Sequence, residues 1–257
     1  MLEDFSTGSV HYFSTSTGML CGMLLRLLPL ITGFAPIFAA HASYLIGIRA
    51  GVLRACMPYI EGCTSISATG RYPPASFLFK SVMMPEAILL AAYWLFSVAW
   101  LRSLSRAAGR SGTVGTSVAA FGIAGALFLI VYVTFLGTQG PVYDFMRRFG
   151  VYLYFLFTVV AQLILAGKIL SLSSSLQIPT VARITKYQLT VALIPFALGI
   201  LNLVLKAVLD DADASENIIE WIFALLMHSY FLLSYFAWRT TGFDAAFSVD
   251  RSRVTSL

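Results

Sequence analysis

The stretch 56-CMPYIEGCTSISATGRYPPASFLFK-80 is the longest polar interruption in an otherwise apolar sequence. It is flanked by long apolar runs, which are typical of membrane-spanning helices. Cys56 and Cys63 lie seven positions apart in it. If this loop faces an oxidising compartment, either a small disulfide or two free thiols would be compatible with the spacing. We therefore expect a fold organised around one long loop, residues 49–80, between membrane-spanning helices.

The composition excludes a soluble domain. Hydrophobic residues make up 58% of the 257 residues and charged residues only 11%, against roughly 25% charged residues in soluble domains. The mean hydropathy is +0.82. This predicts an all-α polytopic membrane helix bundle in a single domain, residues 1–257. The net charge of +5 reflects loop charges and topology, so no nucleic-acid partner is expected.

The apolar runs predict about six spans, and the basic residues predict their orientation. The expected spans are 27–48, 81–101, 114–136, 149–170, 187–208 and 218–238. More Lys and Arg residues lie in the segments that share a side with the termini, which predicts that both termini are cytoplasmic. The long loop 49–80 then lies in the lumen or outside the cell.

Several polar residues fall at or within these spans. Pro85 opens the second predicted span, so Glu86 is either a capping carboxylate at a helix N-terminus, the preferred interpretation, or a functional acid. Tyr152 and Tyr154 suit an aromatic belt at the membrane interface. The deeper candidates for functional groups are His41, Gln162, Glu220 and His228. His41 is either a functional group facing the bundle interior or a histidine hydrogen-bonded to a neighbouring helix, and Gln162 must hydrogen-bond within the bundle. Glu220 lies only a turn inside its span and is either functional or a capping or interfacial carboxylate, whereas His228 lies deeper.

Known catalytic and metal-binding motifs are absent from the sequence. The patterns GxSxG, HExxH and GxGxxG and the phosphate-binding P-loop do not occur. There is no CxxC pair or His/Cys cluster for zinc. We expect no metal and no cofactor.

Two motifs carry a resemblance to a known family. The first is Ser65-Ile-Ser67-Ala-Thr-Gly70, followed by Arg71-Tyr-Pro73-Pro74 and Phe77. It resembles the first luminal loop of the Frag/DRAM/Sfk superfamily of six-span membrane proteins. The second is Glu220-Trp221 with Tyr230-Phe231-Leu232, which is similar to the last span of that family.

The resemblance implies a role in membrane lipid handling, in an endomembrane (Golgi, endosome or lysosome) or at the plasma membrane. The first hypothesis is a DRAM-like, non-catalytic regulator of lipid homeostasis or autophagy that binds lipid, another membrane protein or a lipid-kinase complex. The second is a Golgi factor that remodels the lipid of GPI anchors. The third is a small transporter.

The arrangement of polar side chains would distinguish these hypotheses. Convergence of Glu220, His228 and His41 in one cavity below the loop favours lipid remodelling. A sealed apolar bundle favours the regulator, and a continuous polar path favours the transporter.

The loop itself suits a lid over the bundle. Gly70 permits a sharp turn, Pro73 and Pro74 stiffen the chain, and Phe77 and Phe79 can dip into the membrane interface.

Three arginines complete the candidate site. Arg71, Arg147 and Arg148 are candidates for binding a lipid phosphate. The alternative is a rigid loop whose arginines pair with Asp144 and Glu220.

Overall fold

The computed structural model describes residues 14–110, 114–209 and 211–243, with side chains from residue 25 onward. These ranges contain eight helices and no strand. Six helices are long: α1 Ser14–Arg49, α4 Ala75–Ala107, α5 Thr116–Phe135, α6 Pro141–Ser175, α7 Pro179–Val208 and α8 Asp213–Thr240. Two are single turns in the long loop: α2 Pro58–Glu61 and α3 Ile66–Thr69.

Each long helix is able to span a membrane. The shortest, α5, has 20 residues, which corresponds to about 30 Å of helix and matches the hydrocarbon core of a bilayer. All six contain an apolar window with few charges, in α1 from Leu25 onward. The prediction of an all-α polytopic bundle with six spans is confirmed. The cytoplasmic location of both termini stays a prediction.

The six long helices form a closed ring. Each packs against the next along the chain, and α8 returns to pack against α1. Consecutive helices are antiparallel, so the loop of residues 50–74 projects from one end of the bundle, here called the loop end. The seam between α1 and α8 lies beneath this loop, because α3 contacts both helices and α2 contacts α8.

Helix α4 begins earlier than the predicted span, and this corrects the interpretation of Glu86. Pro85 lies inside α4, ten residues after Ala75. Glu86 is 2% exposed and belongs to the bundle interior, so its predicted role as an N-terminal cap is wrong. Before Pro85, helix α4 already directs Phe79 and Met83 inward, and both side chains are buried. The helix then continues through the proline.

Close helix contacts depend on glycines of α5 and α6. A Cβ at Gly122 of α5 would collide with the Trp94 ring of α4, and one at Gly150 of α6 would collide with the Tyr132 backbone of α5. Small residues allow such approach between membrane helices, where packing replaces the hydrophobic effect as the driving force. These contacts hold α5 between its two neighbours.

The half of the bundle away from the loop is filled by aromatic rings. Tyr93 stacks on Trp238 with ring centroids 5.6 Å apart and meets Phe231 edge-on at 4.9 Å. Trp94 and Trp100 complete the cluster, and all five side chains are at most 2% exposed. This half of the bundle is closed.

Candidate functional site

The long loop is fastened to the first turns of α8. Trp221 Nε1 donates to the Thr64 carbonyl oxygen at 2.9 Å, and Asn217 Nδ2 donates to the Gly62 carbonyl oxygen at 2.7 Å. The Trp221 of the Glu-Trp motif therefore holds the loop motif in place.

A disulfide joins Cys56 and Cys63. It closes a small ring of the chain that contains α2. The Tyr44 hydroxyl of α1 accepts from the Cys56 backbone N–H at 2.9 Å and donates to the Cys56 carbonyl oxygen at 2.8 Å. The cystine ring is thus tied to α1 as well as to α8.

The serines of the loop motif each have a local role. Ser65 caps α3, because its hydroxyl accepts from the Ala68 N–H at 3.1 Å. Ser67 is buried and accepts from the Tyr132 hydroxyl of α5 at 3.1 Å. The Ser67 N–H and hydroxyl donate to Glu220 Oε1 of α8, at 3.3 and 3.5 Å. A carboxylate, a serine and a tyrosine from three segments thus meet at the loop end.

The second part of the motif differs from the expected lid. Gly70 has a φ of −96°, so no left-handed turn requires it; a Cβ there would collide with the Phe79 ring. Phe79 is buried in the bundle core instead of dipping into the membrane interface. Phe77 lies on the first turn of α4 and is 70% exposed. Pro73 and Pro74, joined by a cis peptide bond, precede that turn.

A cavity lies below the loop between α1, α4, α5, α6 and α8. Its polar lining combines three predicted intramembrane residues and three tyrosines: His41, Glu220, His228, Tyr59, Tyr132 and Tyr154. The volume of about 40 Å³ is room for a few water molecules. Polar groups from four long helices and the loop therefore converge at one place.

Two of these polar contacts are tyrosine–histidine pairs of the same design. His228 Nδ1 lies 2.6 Å from the Ala224 carbonyl oxygen, and its Nε2 lies 3.1 Å from the Tyr154 hydroxyl. A carbonyl oxygen only accepts, so Nδ1 carries the proton and the neutral ring accepts the Tyr154 O–H at Nε2. Both members of this pair are buried.

The second pair lies nearer the loop. His41 Nδ1 is 2.7 Å from the Ile37 carbonyl oxygen, and its Nε2 is 3.0 Å from the Tyr59 hydroxyl of α2. Burial raises the pKa of Tyr59, so its hydroxyl keeps the proton that it donates. Trp221 lies edge-on to His41, with ring centroids 5.2 Å apart.

Glu86 lies one turn of α4 deeper than the cavity residue Met83. The Thr32 side chain of α1 and Tyr154 of α6 lie within electrostatic range of its carboxyl group. Among the described residues, neither Thr32 Oγ1 nor Glu86 Oε2 has a hydrogen-bond partner of good geometry. A second carboxyl group therefore lies close to the deep tyrosine–histidine pair.

Not every predicted residue belongs to the cavity. Gln162 is fully buried and donates from Nε2 to the Met227 carbonyl oxygen at 2.9 Å, away from the cavity lining. Arg71 and Arg147 lie within electrostatic range of the Tyr132 hydroxyl. Arg147 pairs with Asp144 at 3.3 Å, as the rigid-loop alternative expects, whereas Arg148 is exposed.

Sequence reasoning missed the tyrosines and placed Glu86 at a helix end instead of in the bundle interior. Tyr154 looked like a belt residue, but it is 3% exposed and turned inward, while Tyr152 is exposed. The signal available in the sequence was the spacing of polar residues along each helix, which shows which of them share a face. Glu220 and His228, for example, are eight residues apart and therefore share one face of α8. The same rule places Phe79, Met83 and Glu86 on one face of α4.

Comparison of this chain with protein-family models, with curated proteins and with solved structures gives no match.

Proposed function

We propose that this protein binds a membrane lipid at the cavity below the long loop and takes part in remodelling that lipid, as in the GPI-anchor alternative. The observation that carries the proposal is the convergence of His41, Glu220 and His228 on one cavity. A carboxyl group and imidazoles inside a membrane domain are costly, and that cost favours a functional role.

The dimensions of the site suit an elongated polar segment of a lipid. Glu220 and His228 are eight residues apart on α8, which separates them by about 12 Å along the helix axis. A glycerol backbone with its ester groups has comparable reach. Since the cavity holds only a few water molecules in this conformation, entry of a lipid requires the loop or the side chains of α1 to move.

The chemistry available there is acid–base chemistry on an ester. The Glu220 carboxylate can accept a proton from an attacking hydroxyl group or water, and return it to the alkoxide oxygen that leaves when the ester C–O bond breaks. The Tyr132 and Tyr154 hydroxyls donate to Ser67 and to His228 in this conformation. After the movement that lipid entry requires, they could donate instead to an ester carbonyl oxygen on which negative charge develops. This would support acyl transfer or ester hydrolysis.

The non-catalytic regulator remains the second candidate because of the histidines. Both ring nitrogens of His41 and of His228 are engaged by a backbone carbonyl or a tyrosine. An imidazole whose two nitrogens are both engaged is as compatible with packing or lipid binding as it is with catalysis. The closed aromatic half, with Trp94, Trp100 and Trp238 fully enclosed, weighs against the transporter.

The test is mass spectrometry of GPI-anchor lipids and total phospholipids in cells that lack the protein. We expect altered acyl chains, restored by the wild type but not by Glu220→Gln, which keeps the shape of the side chain and removes its charge. Glu216→Gln is the matched control, because Glu216 lies one turn earlier on α8 and pairs with Lys206 outside the cavity, at 2.6 Å.

Each outcome assigns the function differently. Full rescue by Glu220→Gln, at equal protein levels, would contradict chemistry at this carboxylate. Unchanged acyl chains with altered phosphoinositides or altered autophagy would support the regulator instead.

A further inference from the structure

We propose that Arg71 and Arg147 form a binding site for a phosphate group, and that this phosphate belongs to the headgroup of an anionic lipid. The inference deepens the proposed function, because it names the class of lipid and the end of the cavity at which its headgroup lies. It can be tested by binding alone, with no reaction.

Arg71 lacks a partner for a charge that is partly removed from water. It follows α3 directly in the long loop and is half-buried. Its Nε atom is inaccessible to solvent, yet it has no hydrogen-bond partner among the residues that the structure describes. A guanidinium donor left unpaired in this way costs free energy, and an anionic oxygen in line with it would remove that cost.

Arg147 supplies a second guanidinium from another element. It lies on the second turn of α6 and is only 9% exposed. Asp144, one turn earlier, accepts one hydrogen bond from its Nη2 at 3.3 Å. Asp144 is itself exposed, so this ion pair is weak and leaves most of the guanidinium fork available.

The two arginines lie near the connection from α5 to α6 at the loop end: the Arg71 carbonyl oxygen packs against Gly137, and Arg147 follows on the second turn of α6. Both lie within electrostatic range of the Tyr132 hydroxyl, which lines the cavity. Glu220 is within range of Arg147 as well, but its Oε1 is directed to Ser67. A phosphate between the arginines could make charge-assisted, bidentate hydrogen bonds to both. The rest of the lipid would then point toward Tyr132 and Glu220.

The surroundings of Arg147 favour a lipid as the source of the phosphate. The exposed face of the first turns of α6 carries large apolar and aromatic side chains: Val142, Tyr143, Phe145 and Phe149. Aromatic side chains at the end of a membrane span mark the depth of the lipid headgroups. Arg147 therefore lies at the depth where lipid phosphates are found.

The experiment measures lipid binding by native mass spectrometry of the full-length protein in nanodiscs of phosphatidylcholine with added phosphatidic acid. We expect Arg71→Gln to weaken phosphatidic acid binding about tenfold, the scale of a lost charge-assisted contact. Arg71→Lys keeps the charge but loses the planar fork, so an intermediate loss is expected.

Arg148→Gln is the matched control, since it removes the same charge from an exposed neighbour of Arg147. Phosphatidic acid binding to this variant should stay within about twofold of binding to the wild type. Equal losses in Arg148→Gln and Arg71→Gln would overturn the proposal, because they would show only general surface charge. Unchanged binding in correctly folded Arg71→Gln would overturn it too.

Two further measurements distinguish a lipid phosphate from free phosphate, and the phosphate site from the proposed lipid remodelling. If millimolar inorganic phosphate displaces bound phosphatidic acid as effectively as added lipid does, the site binds free phosphate. That result would overturn the assignment to a lipid headgroup. If Arg71→Gln loses binding while Glu220→Gln rescues lipid remodelling in cells, the phosphate site stands and the proposed chemistry fails.

Discussion

Two tyrosine–histidine pairs line one cavity, and they differ in where they lie. His228 and Tyr154 join α8 to α6 in the interior, whereas His41 and Tyr59 join α1 to the single turn α2 in the loop. In each pair the histidine Nδ1 donates to the carbonyl oxygen four residues earlier.

The difference shows how one hydrogen-bonding design can serve two purposes. The deep pair links two spans in the bundle interior, where Tyr154 and His228 are 3% and 4% exposed and each polar group depends on a protein partner. The pair near the loop links a span to a segment with water on one side, since α2 carries the exposed residues Ile60 and Glu61. The deep pair should therefore contribute to stability, and the loop pair to the position of the loop.

The largest expected difference comes from replacing each histidine by alanine. His228→Ala leaves the buried Tyr154 hydroxyl without a partner and opens a cavity, which should lower the free energy of unfolding by about 3 kcal/mol. His41→Ala should cost about 1 kcal/mol, because water can reach the half-buried Tyr59. Reversible unfolding in mixed micelles measures both, and equal losses would remove the distinction.

An intermediate effect is expected from removal of the disulfide. The double variant Cys56→Ser/Cys63→Ser should lower stability by about 2 kcal/mol, given the short ring that the disulfide closes. Because that ring contains Tyr59, the His41 imidazole should become more reactive toward diethyl pyrocarbonate.

His228 is the internal control for this experiment, since its partners lie on α6 and α8. Its reactivity should be the same in the wild type and in the double variant. A rise in His228 reactivity equal to that of His41 would mean that the cystine ring supports the whole bundle.

The smallest expected effect is that of removing the hydroxyl group from each tyrosine of the two pairs. Tyr154→Phe should cost about 1 kcal/mol, because His228 Nε2 loses its donor inside the bundle. Tyr59→Phe should cost about 0.3 kcal/mol, because water can take the place of the hydroxyl. Thermal unfolding midpoints of the two variants, measured side by side, would refute the comparison if Tyr59→Phe were the less stable one.

The spans were predictable because hydropathy is a local property. A run such as Thr116–Phe135 needs no knowledge of its neighbours to be identified as a membrane helix. The start of α4 was missed because Lys80 and Pro85 interrupt its apolar run, although helical spacing of Phe79 and Met83 continues across them.

The convergence at the cavity was only partly predictable. His41, Glu220 and His228 were identifiable as costly intramembrane groups, but which way each helix faces depends on packing with its neighbours. Tyr154 could not be told from a belt tyrosine such as Tyr152, because residue type says nothing about rotation of α6. The burial of Arg71 Nε without a hydrogen-bond partner among the described residues likewise depends on the folded position of the loop.

The seam between α1 and α8 has a consequence for how the protein is made. Ser67 and Glu220 meet across 153 residues of chain, and α8 is the last of the described helices to leave the ribosome. Until it inserts, Ser67 and the Thr64 carbonyl oxygen of the long loop lack Glu220 and Trp221 as partners. His41 lacks the Trp221 ring beside it. A chain that stops before α8 would thus present unpaired polar groups beside an open ring, which is the kind of surface that membrane quality control recognises.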